Sequence, residues 1–131
     1  MTNKELISAY YQMWNEKNFD KADAILDEDI RFRGSLDITA NGIDGFKEYA
    51  QMITSAFPNL YHAAEISVYE NDLVAVYVTY TGTHEGKLFD YAPTGKRICY
   101  SGASFFQLRD GKIKSINILG DLNSLHKQLS E

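Results

Sequence analysis

At 131 residues, with 44% apolar and 24% charged side chains, the chain has the length and composition of one globular domain, which excludes disorder and fibrous repeats. Lys and Arg number 13 against 18 Asp and Glu, a net charge of −5, and no basic run offsets it. Nucleic acid and anionic membranes are therefore excluded as partners. No run of about 20 apolar residues occurs, so no membrane span is expected, and the charged start from Met1 to Glu5 lacks the apolar run of a signal peptide. The single Cys99 cannot form an internal disulfide and suits a reducing compartment, so the cytoplasm is the expected location.

Thr2-Asn3-Lys4-Glu5 reads as a capping box, and Leu6, Tyr10, Met13 and Trp14 then recur at helical spacing over about four turns. Asp20 is placed to cap a second short helix carrying Ala24, Ile25 and Leu26, which Asp27-Glu28-Asp29 ends in solvent. Ile30 to Arg33 alternates like a short strand, and Asn41-Gly42 opens a turn. A third helix buries Ile43, Phe46, Ala50, Ile53 and Phe57 until Pro58 stops it, since proline cannot continue the backbone hydrogen-bond ladder. Strands follow: Leu60 to Tyr69, a turn at Glu70-Asn71-Asp72, then Leu73 to Thr83, rich in Val, Tyr and Thr. After a loop through Pro93-Thr94-Gly95, Arg97 to Leu108 is a strand, Asp110-Gly111 a two-residue hairpin turn, and Ile113 to Leu119 the last strand. Leu122 to Leu129 closes the chain as a helix. Helices first and antiparallel hairpins after them predict an α+β fold, one domain over residues 1–131.

No HExxH, CxxC or EF-hand pattern is present, and His62, His84 and His126 stand far apart in sequence, so no metal is expected. Thr94-Gly95-Lys96 lacks the upstream glycine of a phosphate loop, and Arg97 stands where Ser or Thr should follow. Any chemistry must run on ordinary side chains.

Several pieces then stand in one familiar order: Gly42 and Gly45 opening the third helix, Ala56-Phe57-Pro58-Asn59-Leu60, Gly82-Thr83-His84-Glu85-Gly86, Pro93-Thr94-Gly95-Lys96-Arg97, Asp110-Gly111-Lys112-Ile113, and Asp121 to Leu129. In these the chain resembles the SnoaL-like polyketide and ester cyclases of the nuclear-transport-factor-2-like superfamily. The resemblance implies a cone: a strongly curved antiparallel sheet wrapped around the N-terminal helices, with an internal pocket for a small molecule. It also implies a homodimer through the outer sheet face, no cofactor, and an aspartate that takes an acidic proton from a polyketide ester before aldol ring closure. Asp121 is the matching residue. Where many members carry His-Trp in the last strand this chain has Ile116-Asn117, and Asp29-Ile30-Arg31-Phe32 offers no first-strand histidine.

Asp121 therefore has two readings, a general acid/base or the N-cap of the helix that begins Leu122-Asn123-Ser124. His84 is either a catalytic residue that donates to a substrate carbonyl or orients a base, or a turn residue paired with a carboxylate such as Glu85, with Gly82 and Gly86 supplying backbone freedom. Asn117, Tyr10, Trp14, Tyr77 and Tyr100 are the candidates for substrate contact. Alternation places Tyr77 and Tyr80 on opposite sheet faces, so not all of the nine tyrosines can face inward. Cys99 reads as a small buried hydrophobe. The expected function is a cofactor-independent cyclase on a carbonyl substrate; an isomerase or dehydratase, or a binding domain without chemistry, remain as alternatives.

Overall fold

The computed structural model describes residues 1–131. Its first helix, α1 (Asn3–Glu16), starts at a complete capping box: Glu5 N donates to Thr2 Oγ1 at 3.1 Å and Thr2 N to Glu5 Oε1 at 2.9 Å. Lys17 ends it in the left-handed region, φ 54°. A 3-10 turn (Phe19–Lys21) leads into a single helical turn, α2 (Ala22–Ile25). Asp20 lies inside that 3-10 turn and caps neither element, contrary to the expectation from sequence. Strand β1 (Leu26–Arg33) begins four residues earlier than its alternation predicts, because Asp27, Glu28 and Asp29 run in strand geometry toward solvent. The short β2 (Thr39–Asn41) pairs with it and passes directly into α3 (Gly42–Ala56). The remaining elements are β3 (Tyr61–Glu70), β4 (Leu73–Thr83), β5 (Arg97–Arg109), β6 (Lys112–Gly120) and α4 (Leu122–Ser130).

The six strands form one open sheet in the order β2-β1-β6-β5-β4-β3. It is mixed rather than wholly antiparallel: β1 runs parallel to β6, and the other neighbours are antiparallel. β1 and β6 meet from opposite ends of the chain, so no hairpin dictates their direction. Register shifts fall between Ala64 and Ile66, between Gln107 and Leu108, and between Leu26 and Arg31. Such irregularities bend strands and deepen twist, which curls the sheet into a cone around α1 and α3.

Strand alternation sets what the cone holds. On β5, Ile98, Tyr100, Ser104, Phe106 and Leu108 are buried; on β4, Val74, Val76, Val78 and Tyr80. Cys99 falls between two buried neighbours and is exposed, so the expectation of a buried thiol is corrected by strand parity. From the helical side Tyr10, Trp14, Phe46 and Tyr49 fill the interior. Tyr10 meets Phe106 edge to face at 5.1 Å, and Trp14 meets Phe46 at 5.7 Å. Offset and edge-on contacts of this kind suit the ring quadrupoles and hold a largely aromatic core. No helix is long and apolar enough to cross a membrane.

Candidate functional site

The aromatic interior contains polar atoms that form no hydrogen bond. Tyr11 Oη, Trp14 Nε1, His62 Nδ1 and Tyr80 Oη are all buried and lack a hydrogen-bond partner. A hydroxyl, indole or imidazole left unpaired away from water costs roughly 1–3 kcal/mol, so such atoms are uncommon and here they occur together. The His62 ring stacks on Trp14 at 4.7 Å and meets Tyr80 edge-on at 4.9 Å, with Tyr11 at 6.1 Å. Each side chain arrives by a separate structural route. Helical spacing turns Tyr11 and Trp14 inward from α1. His62 opens β3 on its inner face, paired in register with Tyr80 of β4. Gly102 lets Tyr80 lie flat: a Cβ there would stand 2.9 Å from its ring and 3.1 Å from its oxygen.

The electrostatics are those of an apolar, neutral core. Burial holds the His62 imidazole down to about 3, with the Lys17 ammonium adding to the effect, so the ring is neutral near pH 7. Burial also raises the phenols of Tyr11 and Tyr80, and the nearby Ser104 hydroxyl partly opposes that shift for both. Tyr49 is pushed up to about 12 by burial. Behind this cluster Tyr100 Oη pairs with Ser35 Oγ at 2.9 Å, and Leu36 N donates to Tyr49 Oη at 3.4 Å. Neutral phenols and an indole N–H in apolar surroundings can donate to a carbonyl oxygen, and that donation strengthens as the oxygen gains charge.

The family model for SnoaL-like polyketide cyclases matches residues 4–129. The chain belongs to that family. Its fold recurs in a protein of Jannaschia sp. CCS1 assigned to the SnoaL-like polyketide cyclases, with a TM-score of 0.89 and 21% identity over 98% of this chain and 91% of that one. A protein of Xanthomonas campestris pv. campestris assigned as a polyketide cyclase gives 0.88 and 19%, covering 97% and 96%. AclR of Streptomyces galilaeus, assigned as a hydroxylase, gives 0.85 and 23%, covering 98% and 84%. No curated protein matches the sequence significantly. At these identities the solved structures establish the fold and not the reaction.

In this SnoaL-like chain Asp121 sits at the junction of β6 and α4, exposed, and its Oδ1 accepts from Ser124 N at 3.1 Å. It is the N-cap of α4, whose buried side carries Leu125 and Leu129. His84 is buried but turned to the loop before β5: its Nδ1 accepts from Thr94 N at 3.1 Å and lies 3.0 Å from Thr94 Oγ1. Burial lowers its pKa, and the Gly86 backbone partly opposes this. The partner is thus Thr94, not the expected Glu85. Gly82 and Gly86 have ordinary negative φ, so backbone freedom is not their role. Gly86 is needed for close approach, since a Cβ there would stand 2.2 Å from the Ser55 carbonyl oxygen.

The substrate-contact candidates divide by sheet face. Tyr10, Trp14 and Tyr100 lie inside the cone. Tyr77 and Asn117 lie on its outer surface, contrary to a place on the pocket wall; Asn117 Oδ1 accepts a long bond from Arg33 Nη1 at 3.5 Å there. Strand parity is the cause, with Val76 and Val78 taking the inward positions beside Tyr77, and Ile116 and Ile118 those beside Asn117. Reasoning from sequence did not single out Tyr11, His62, Tyr80 or Ser104. Parity with inward neighbours was the available signal for His62 and Ser104.

Proposed function

We propose that this protein receives a neutral, carbonyl-bearing molecule of the polyketide-ester kind inside the cone and promotes enolate chemistry without a cofactor. The observation that carries this reading is the group of unpartnered buried atoms on Tyr11, Trp14, His62 and Tyr80. An enolate oxygen placed among those donors would be stabilised relative to the ketone, because donors in a low-dielectric site act most on developing charge. Asp121 is the general acid/base that the family pattern singles out. To act so, it must take the proton on Oδ2 while Oδ1 accepts from the Ser124 amide, and the acidic carbon must reach the β6–α4 junction.

Exchange of the α-protons of an aromatic β-keto methyl ester in D2O, followed by NMR, tests the reading. Exchange above the buffer rate that falls in Tyr80→Phe and in Asp121→Asn supports it in full. A loss in Tyr80→Phe alone keeps the chamber and removes Asp121 from the chemistry. A second reading, a binding domain without chemistry, is favoured by the exposed, capping position of Asp121; ester bound tightly and returned unexchanged would establish it.

The outer sheet face supports a homodimer. Ile66, Tyr77, Ala103 and Leu119 share one cross-strand row, and Val68, Ala75 and Phe105 share the next. Of these, Ile66, Val68, Tyr77, Phe105 and Leu119 are large and exposed, a contiguous patch of the kind that marks interfaces. Sedimentation of wild type against Phe105→Glu tests it: a dimer that becomes a monomer is expected, and a monomeric wild type refutes it.

A further inference from the structure

The helix α1 touches the sheet at its outermost strand, β3, and is fastened there at two places. At its start Asn3 Nδ2 donates to Asn71 O at 3.1 Å and to Asp72 Oδ1 at 3.3 Å. At its end the Asn15 amide brackets the His62 backbone, donating to its carbonyl at 3.0 Å and accepting from its N–H at 2.7 Å, and Lys17 Nζ bonds Leu60 O. Between these clasps helix and strand border an open surface cleft of about 450 Å³. That is within the range of small-molecule sites. Its most buried lining residues are Ile7, Tyr11 and His62, which form the floor.

Two of those floor residues carry unpaired buried atoms, Tyr11 Oη and His62 Nδ1. The cleft and the orphaned cluster are thus separated by one layer of side chains. The strand bordering the cleft is irregular as well, with its register to β4 broken between Ala64 and Ile66. At the other end of the cone Leu88, Leu125 and Leu129 are packed shut. There Phe89 stacks on His126 at 4.8 Å, and Tyr91 Oη lies 3.0 Å from His126 Nδ1. Entry at that end must separate α4 from its loop. From the cleft, Tyr11 and His62 are the side chains that stand between solvent and the core.

We propose that the α1–β3 cleft is the outer half of the ligand site and the way into the cone, taking a neutral, flat hydroxy-aromatic whose oxygen pairs with Tyr11 and His62. This rests on the reading that the cone interior holds the substrate. The lining fixes the class. Tyr11, Tyr61 and Tyr69 offer aromatic walls, Ser8 and Gln12 polar edges, and Glu16 is the only charged residue of the lining, with the Lys4 and Lys17 ammonium groups outside it beside Tyr69 and His62.

The probe is 2-naphthol, titrated by fluorescence and by amide chemical shifts on the full chain. Saturable binding is expected, with shifts at Ser8, Gln12, Ala64 and Ser67. Tyr11→Phe should weaken it about tenfold, the loss of one hydrogen bond. Ser8→Trp, a substitution at an exposed rim position, should abolish it with the thermal unfolding profile unchanged. Shifts confined to Leu88, Leu125 and their neighbours, or undiminished binding by Ser8→Trp, would overturn the cleft and leave the interior site standing. No saturable binding overturns the cleft as well, and the proton-exchange assay then decides separately whether the interior reading survives.

Discussion

Lowering the pH from 7 to 5 should destabilise this protein by a separable amount through His62. Burial among Tyr11, Trp14 and Tyr80, with the Lys17 ammonium acting in the same direction, holds its folded pKa at about 3. The unfolded imidazole titrates near 6.5. Above that value neither state binds the proton and stability is at its full level. As pH falls below it, the unfolded chain takes up a proton that the folded chain refuses until about pH 3, so stability is lost across that window. At pH 5, about 1.5 below the unfolded pKa, the loss is about 2 kcal/mol. This figure barely changes if the folded pKa is one higher, because the unfolded side sets it. His84, also held down by burial, and the carboxylates titrate in both wild type and His62→Gln, so their contributions cancel in the comparison. The assay is urea unfolding of both proteins at pH 7 and pH 5, with slopes checked for constancy. Wild type should lose about 2 kcal/mol more than the variant between the two pH values. Equal losses would refute the assignment of His62 as a buried neutral ring.

Asp121→Ala should lower thermal stability by about 3–4 °C, from about 1 kcal/mol of lost capping spread over a chain of this size, whereas Asp121→Asn should stay within about 1 °C. Calorimetry of the pair checks this, and equal losses in both variants would show that the carboxylate does more than cap α4. Tyr100→Phe removes the buried bond to Ser35 and leaves that hydroxyl unpaired, so it should cost about 1–2 kcal/mol in urea unfolding.

Elements specified by their own few residues were legible in the sequence. Asp110 and Gly111 both adopt positive φ, as the two-residue hairpin requires, Pro58 follows the end of α3, and Thr2 and Glu5 form the capping box. What depended on distant partners was not. The polar run Asp27-Glu28-Asp29 resembles a solvent turn, yet it runs within β1 as the irregular stretch between the β6 pairings at Leu26 and Arg31. No local signal announces a parallel contact between strands so far apart. The site divided in the same way. Tyr10 and Trp14 were expected inside from helical spacing, and Tyr77 and Tyr80 were correctly split by parity. The cap of α4 was visible in Asp121-Leu122-Asn123-Ser124 as one of two readings, and the structure contains that cap. His62 belongs to no motif, and its importance arises only when β3 brings it against Trp14.

The most direct test of the interior site is the unfolding free energy of Tyr80→Phe without ligand. A buried hydroxyl with no partner costs stability, so its removal should leave the variant as stable as wild type or more stable by up to about 1 kcal/mol. A loss of about 1 kcal/mol or more would mean that the hydroxyl is bonded within the free protein, contradicting the claim that it awaits a ligand.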